Sequence, residues 1–212
     1  MTFGEVFSRR RRMVVVHHTH LLKNITERLK RGDLVFFDDC LYSQYVFLEA
    51  NVDKLSDMGV SCVLGLSPKA MRPSGNPGIY SIESGELHRV LNSNVETIAD
   101  SAPESCLNGF MSEVEVKRLL DGDNVFLALH GCCHLKLENT VDKFRQPIVF
   151  RKDVEDGKHM LRDMGLDTNI FVYPYAYVPF LGDMVLRQCG FTYVFAGNGA
   201  RRTPIEEISY GF

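Results

Sequence analysis

Short apolar runs alternate with helical patterns along most of this chain. Six of the runs predict strands, at residues 13–17, 33–37, 60–66, 124–129, 169–173 and 191–195. Segments whose apolar side chains recur three and four positions apart predict helices, at residues 20–31, 42–58, 85–91, 112–120, 153–164 and 179–188. A last edge strand is predicted at 205–209. This alternation is typical of a parallel sheet covered by helices.

The chain has the length of one domain with a full core. Its 212 residues contain no internal repeat, low-complexity tract or composition shift that would mark a boundary. Residues 67–81 are rich in proline and in glycine turns, which predicts a loop. We therefore expect a single α/β domain over residues 1–212.

The overall charge gives no reason to expect a nucleic-acid or anionic-membrane partner. The formal net charge is −3, and the one basic run is Arg9 to Arg12. We interpret that run as a solvated segment before the first strand, with phosphate or nucleotide binding as the alternative. No apolar stretch approaches the roughly 20 residues of a transmembrane helix, and none is typical of a secretory signal.

The six cysteines indicate a reducing compartment. None of them forms a CxxC pair, so a zinc ribbon is not expected, and without an export signal reduced thiols are the default. The expected location is cytoplasmic. The adjacent Cys132 and Cys133 are interpreted as buried thiols packing as small apolar groups, with thiol catalysis as the alternative.

Polar side chains follow four of the predicted strands. His17, His18 and His20 come after the first strand, and Asp38-Asp39 come after the second. The segment 130–134, His-Gly-Cys-Cys-His, and the dipeptide 174–175, Pro-Tyr, follow two more strands. Because the carboxyl ends of parallel strands meet at one edge, these groups are expected to form a site there. Two adjacent carboxylates at the end of an apolar strand are costly to bury without a partner.

The residue types at this edge fit metal chemistry. His130 and His134 are four residues apart, a spacing that would place both imidazoles on one face of a helical turn. Two imidazoles and a carboxylate are a common catalytic zinc set with one position open. A second carboxylate beside them can serve as general base. The ligands leave cobalt, manganese, nickel and iron open beside zinc.

Three motifs in order along the chain resemble a known family. Residues 35–40, Val-Phe-Phe-Asp-Asp-Cys, are similar to the Thr-Phe-Asp-Asp-Gly motif of the polysaccharide deacetylases, the NodB-homology family. Residues 130–134 resemble its second motif, His-Ser/Thr-x-x-His, and residues 171–175, Phe-Val-Tyr-Pro-Tyr, resemble its third, which ends in Pro-Tyr. The resemblance covers roughly residues 33–197.

The resemblance implies a fold and a reaction. The fold would be a distorted (β/α) barrel of about seven parallel strands, and the reaction would remove an N-acyl group, acetyl or formyl, from an amino sugar. It implies Asp38 as catalytic base and Asp39, His130 and His134 as ligands of one divalent metal, zinc before the others. The backbone N–H of Tyr175 would help to hold the oxyanion.

The chain also departs from the family pattern. Cys40 replaces the glycine after the two acids, and Phe171 lies where the third motif often carries an arginine. Arg201 or Arg202 is a candidate replacement for that arginine.

The family's general acid, the histidine of a C-terminal Leu-x-His motif, is missing from the sequence. The last histidine, His159, is interpreted as a surface residue of a helix. His18 or His17, at the end of the first strand, is therefore the predicted general acid.

The expected substrate is a small glycan, a sugar nucleotide or a lipid-linked sugar, as in bacterial surface polysaccharide synthesis. Tyrosines could line the sugar site, and the candidates are Tyr42, Tyr45, Tyr173, Tyr175 and Tyr177. One alternative is a non-catalytic metal- and carbohydrate-binding module on the same fold. Another is a hydrolase of a non-sugar amide, such as a cyclic imide or ureide. The sequence does not indicate an oligomeric state.

Overall fold

Seven parallel strands form one sheet in the computed structural model, which describes residues 1–10, 12–16, 25–80, 107–138 and 141–196 and the backbone of 206–207. In chain order they are β1 (Arg12–Val16), β2 (Asp33–Phe37), β3 (Ser61–Leu66), β4 (Val125–Leu129), β5 (Ile170–Val172), β6 (Tyr193–Phe195) and β7 (Glu206–Glu207). Their spatial order is β6-β5-β4-β3-β2-β1-β7. The sheet curls into a half-barrel surrounded by helices, which confirms the predicted distorted (β/α) barrel.

The described helices cover the sheet. They are α1 (Phe3–Arg9), α2 (Ile25–Arg28), α3 (Tyr42–Asp57), α4 (Glu113–Leu120), α5 (Gln146–Asp163) and α6 (Gly182–Gln188). Two short 3₁₀ turns lie at Pro68–Ala70 and Pro174–Ala176. The predicted helix at 85–91 lies outside the described residues. Of the helix predicted at 20–31, the first five residues lie outside them, and the described part is helical over α2.

Two helices differ most from the sequence prediction. Helix α5 begins at Gln146, seven residues before the predicted start, with a proline in its first turn, where the missing N–H costs no hydrogen bond. Helix α1 was not predicted. Thr2 caps it, because its hydroxyl accepts the N–H of Glu5 while the Glu5 carboxylate accepts the N–H of Thr2.

Alternating strand residues divide the core into two layers. The larger, outer layer lies between the sheet and helices α2 to α6, and its strand members include Val14, Val35, Phe37, Leu64 and Leu129. The second, inner layer takes the intervening strand positions and packs against α1. Its strand members are Met13, Val15, Leu34, Phe36, Val63, Ala128, Ile170, Val172 and Phe195. Since both sheet faces are buried, the strands are continuous apolar runs, as parallel sheets require.

The basic run near the N-terminus is structural in its described part. Arg12, the first residue of β1, donates from Nε and Nη2 to the Asp33 carboxylate at 2.9 and 2.8 Å. The guanidinium of Arg10 lies 3.5 Å from the centre of the Phe7 ring. The interpretation of the whole run as solvated was therefore wrong for Arg12, whose partner Asp33 is buried at the neighbouring strand's first position.

None of the helices in the described part of the chain is both long and apolar enough to cross a membrane.

Candidate functional site

Strand parity directs two of the motif residues toward the inner layer of the sheet. Side chains two positions apart on a strand share a face. Phe36 belongs to the inner layer, so Asp38, two residues later, continues on the same side. By the same rule His130 follows Ala128 at the end of β4. The backbone N–H of His130 donates to the carbonyl of Leu66 at 2.8 Å, which fixes the end of β4 beside β3.

Gly65 on β3 makes room between these two strand ends. A Cβ on Gly65 would lie 3.2 Å from Asp38 Oδ1, 3.4 Å from Asp38 Cα and 3.6 Å from His130 Cβ. Its lack of a side chain therefore lets Asp38 and His130 approach across the central strand. Gly65 belongs to none of the three motifs. In the sequence, a glycine within an apolar strand is the only signal that other residues approach this strand closely.

Asp39 reaches the site through an unusual backbone conformation. Parity alone would send its side chain to the opposite face from Asp38, but Asp39 and Cys40 have φ of 72° and 48°. This left-handed turn brings the Asp39 carboxylate back beside the histidines. The left-handed region costs a non-glycine residue about 1 kcal/mol or more. Cys40 thus holds a conformation that the glycine of the family motif would adopt without strain.

The segment between the two histidines is an irregular loop, not the helical turn that the spacing suggested. Gly131 and His134 have φ of 74° and 54°. Asp153, which is buried on α5, accepts the N–H groups of Cys132 and Cys133, both at 3.0 Å. A carboxylate on a helix later in the sequence therefore holds the shape of this loop.

A side chain at Gly131 would disturb this support. A Cβ there would lie only 2.9 Å from Asp153 Oδ2. Neither this close approach nor the role of Asp153 was predicted from the sequence.

Three ligand-type atoms converge at the carboxyl edge of the sheet. A carboxylate oxygen of Asp39 and one ring nitrogen each from His130 and His134 all lie within 4.8 Å of one another. The Asp39 Oδ1 atom is 3.1 Å from Nε2 of His134 and 3.5 Å from Nε2 of His130. The two Nε2 atoms are 3.1 Å apart. All three side chains are buried.

These atoms fit a divalent cation. His130 Nδ1 lies 2.9 Å from the carbonyl oxygen of Val172, which can only accept, so Nδ1 carries the proton and the Nε2 lone pair points into the cluster. Asp38 Oδ1 and Asp39 Oδ1 are buried and have no hydrogen-bond donor among the described residues. Two imidazoles with a carboxylate are a set that zinc and related metals bind.

Mutual electrostatics perturb two members of the cluster. Burial opposes ionisation of Asp39, but the His134 and His130 imidazoles outweigh it and hold the pKa of that carboxyl well below its usual range. Burial also opposes protonation of His130, yet Asp39 and Asp38 raise the pKa of its imidazole above the ordinary value. The cluster therefore favours positive charge beside the Asp39 carboxylate, as a cation site requires.

Gln44 ties the strand ends together beneath the site. Its Nε2 donates to the carbonyls of Asp38 at 2.7 Å and Val16 at 3.1 Å. Its Oε1 accepts the N–H of Leu41 at 2.8 Å. Because Gln44 is fully buried on α3, it fixes the backbone around the two acids. The helical pattern gave no hint of this function.

Tyr175 contacts the same cluster. Its ring centroid lies 4.6 Å from that of His134, and its backbone is in the left-handed region, with φ of 55° and ψ of 17°. Burial, with a further contribution from Asp39, raises the pKa of its phenol. The other candidate sugar-site tyrosines differ: the Tyr173 hydroxyl donates to Asp183 and that of Tyr45 to Glu49.

The remaining sequence candidates fall into two groups. His17, His18, His20, Arg201 and Arg202 all lie outside the described residues. Phe171, which lies where the third motif of the family often carries an arginine, is fully buried in the outer core layer. His159 is exposed on α5, beside Asp163, as predicted.

Several solved structures share this fold. IcaB from Ammonifex degensii is 19% identical with a TM-score of 0.52, covering 77% of this chain and 59% of its own. A de-N-acetylase from Aggregatibacter actinomycetemcomitans is 14% identical with a TM-score of 0.54, covering 92% of this chain and 76% of its own. BC0361, a polysaccharide deacetylase from Bacillus cereus, is 11% identical with a TM-score of 0.54, covering 85% of this chain and 48% of its own. The resemblance to the polysaccharide deacetylases is thus confirmed at the level of the fold.

The overall likeness was found by comparison of three-dimensional structures. No protein-family model matches the chain, and no curated protein matches it. The chain spans about 59% of the length of IcaB and about half of BC0361.

Proposed function

We propose that this chain is a divergent polysaccharide deacetylase, a metal-dependent hydrolase that removes an N-acetyl or N-formyl group from an amino sugar. The observation that carries the proposal is the convergence of Asp39, His130 and His134 near Asp38, whose buried Oδ1 has no hydrogen-bond donor in the described part of the chain. This cluster lies at the carboxyl edge of a fold shared with a de-N-acetylase. This edge is where α/β barrels concentrate their chemistry.

Each residue has a role in this mechanism. A divalent cation held by Asp39, His130 and His134 would supply Lewis acidity toward the acyl carbonyl and the attacking water. Asp38 takes the proton from that water, since its Oδ1 is buried without a donor of its own. The backbone N–H of Tyr175 donates to the oxyanion as the carbonyl carbon becomes tetrahedral. His18 or His17 then protonates the leaving amine.

The substrate proposed is a small glycan, a sugar nucleotide or a lipid-linked sugar. Zinc is the preferred metal because two imidazoles and one carboxylate form a typical catalytic zinc set.

Chelation and add-back test the proposal. The protein is treated with EDTA, dialysed, and reloaded with zinc, cobalt, manganese, nickel or iron. Release of acetate or formate is then measured on N-acetyl and N-formyl amino sugars offered as oligosaccharides, sugar nucleotides and lipid-linked sugars. We expect activity to disappear on chelation and to return with at least one metal.

Variants assign the roles. Asp39→Asn and His134→Gln should lose bound metal and activity together, whereas Asp38→Asn should keep the metal and lose about 10²- to 10⁴-fold in kcat, the usual contribution of a general base. His159→Gln is the matched control, because His159 is exposed on α5 beside Asp163 and is not a member of the cluster. Full activity in Asp39→Asn would refute the proposal, and sugar binding without turnover in the wild type would favour a binding module.

A further inference from the structure

A second group of potential ligands lies behind the histidine loop. A thiol sulfur from each of Cys132 and Cys133 and a carboxylate oxygen of Asp153 lie within 4.8 Å of one another, and all three side chains are buried. The Met160 Sδ atom is 3.6 Å from Cys132 Sγ and adds a thioether to the group. No step of the proposed deacylation uses any of these four side chains.

One face of α5 is shaped to meet the two cysteines. Asp153, Gly157 and Met160 are four and three residues apart, so they share one side of the helix. A Cβ on Gly157 would lie 2.9 Å from Leu129 Cδ1 and 3.4 Å from Cys132 Cα. Glycine at this position therefore lets the helix approach the loop closely and bring its oxygen and sulfur to the thiols.

The carboxylate at the centre of this group forms no ion pair with any described residue. Asp153 is buried and accepts two backbone N–H groups, but within the described ranges no lysine, arginine or histidine lies at salt-bridge distance from it. A buried carboxylate is costly unless a positive charge compensates it. A cation bound to the thiolates would supply that charge in the same small volume.

We propose that Cys132, Cys133, Asp153 and Met160 form a binding site for a thiophilic d¹⁰ cation such as Zn²⁺ or Cd²⁺. Thiolate and thioether donors select soft metals. Zinc–sulfur bonds of about 2.3 Å in a tetrahedral site place the sulfurs about 3.7 Å apart, within the spread of these atoms. Occupancy would stiffen the loop that joins His130 to His134. The site is separate from the Asp39 centre, whose ligands contain no sulfur.

Cadmium titration tests this site independently of activity. The reduced wild-type protein should develop a thiolate-to-cadmium charge-transfer absorption in the ultraviolet that saturates at one equivalent. The double variant Cys132→Ser/Cys133→Ser should lose it. Cys189→Ser is the matched control because Cys189 is a partly exposed thiol at the end of α6, outside the group, and it should keep the full signal.

A variant of the other centre separates the two proposals. His134→Gln should lose deacylation while its cadmium absorption remains, since no thiolate is removed. Absence of the absorption in the wild type would overturn the thiophilic site, and so would its persistence in the double serine variant. Neither result depends on whether the protein deacylates a sugar.

Discussion

Gly65→Ala is the substitution that most directly tests how the fold positions the site. Gly65 is not a ligand, a base or a motif residue, yet it lies between two strand ends that carry them. The added methyl carbon would be 3.2 Å from Asp38 Oδ1 and 3.4 Å from Asp38 Cα, where ordinary van der Waals contact begins at 3.4 Å. Asp38 must therefore move by a few tenths of an ångström.

The size of the effect follows from this displacement. A misplacement of about 1 Å in a catalytic group can reduce the rate about 100-fold, so a few tenths should cost roughly 3- to 10-fold in kcat/KM. Overpacking typically destabilises a fold by about 1–3 kcal/mol, and the loss of glycine's freedom in the unfolded chain offsets about 0.4–1 kcal/mol of that. The net loss of unfolding free energy should be about 0–2.5 kcal/mol.

Gly122→Ala is the matched control. A Cβ at Gly122 would lie 3.3 Å from the carbonyl oxygen of Leu119 and 3.5 Å from a Val125 methyl, a crowding similar to that at Gly65. Gly122 is at the amino end of β4, opposite the edge that carries the site. Its substitution should change stability by a comparable amount but leave catalysis intact.

The assays are urea unfolding of both variants and kcat/KM of the zinc-loaded protein for the best substrate found. Equal activity of Gly65→Ala and wild type would refute the argument that β3 sets the separation of Asp38 and His130. So would an equal loss of activity in Gly122→Ala, because the effect would then reflect general destabilisation.

Two further predictions concern stability. In EDTA, the raised pKa of His130 should stabilise the fold at pH values below 6.5, the ordinary pKa of a histidine. This contribution should disappear as the pH rises through the pKa that His130 has in the folded protein. The pKa of buried Asp153, raised to about 6, acts in the same direction. Urea unfolding on both sides of 6.5 checks this, and stability rising with pH across that range would contradict it. Arg12→Ala should lose about 1–3 kcal/mol because it leaves buried Asp33 unpaired, whereas Arg118→Ala, at an exposed ion pair, should lose under about 1 kcal/mol by the same assay.

The sequence by itself determined the class of fold and the identity of the candidate ligands. Apolar runs alternating with helical patterns predict parallel strands because each strand must be buried on both faces, and the seven-stranded half-barrel agrees. Strand period relates Asp38 to Phe36 and His130 to Ala128 within their own strands, but only the structure shows that both pairs share a side of the sheet. These are local regularities, which one segment of chain expresses without its neighbours.

The tertiary structure decided how the site is assembled. The placement of Asp39 in the cluster depends on positive φ at residues 39 and 40. The placement of His134 depends on a loop held by Asp153, which lies on α5, 20 residues after Cys133 in the sequence. The close approach across Gly65 requires three strands in register. No periodic pattern encodes such contacts, because they arise where segments distant in sequence meet and a strained backbone is stabilised by its surroundings.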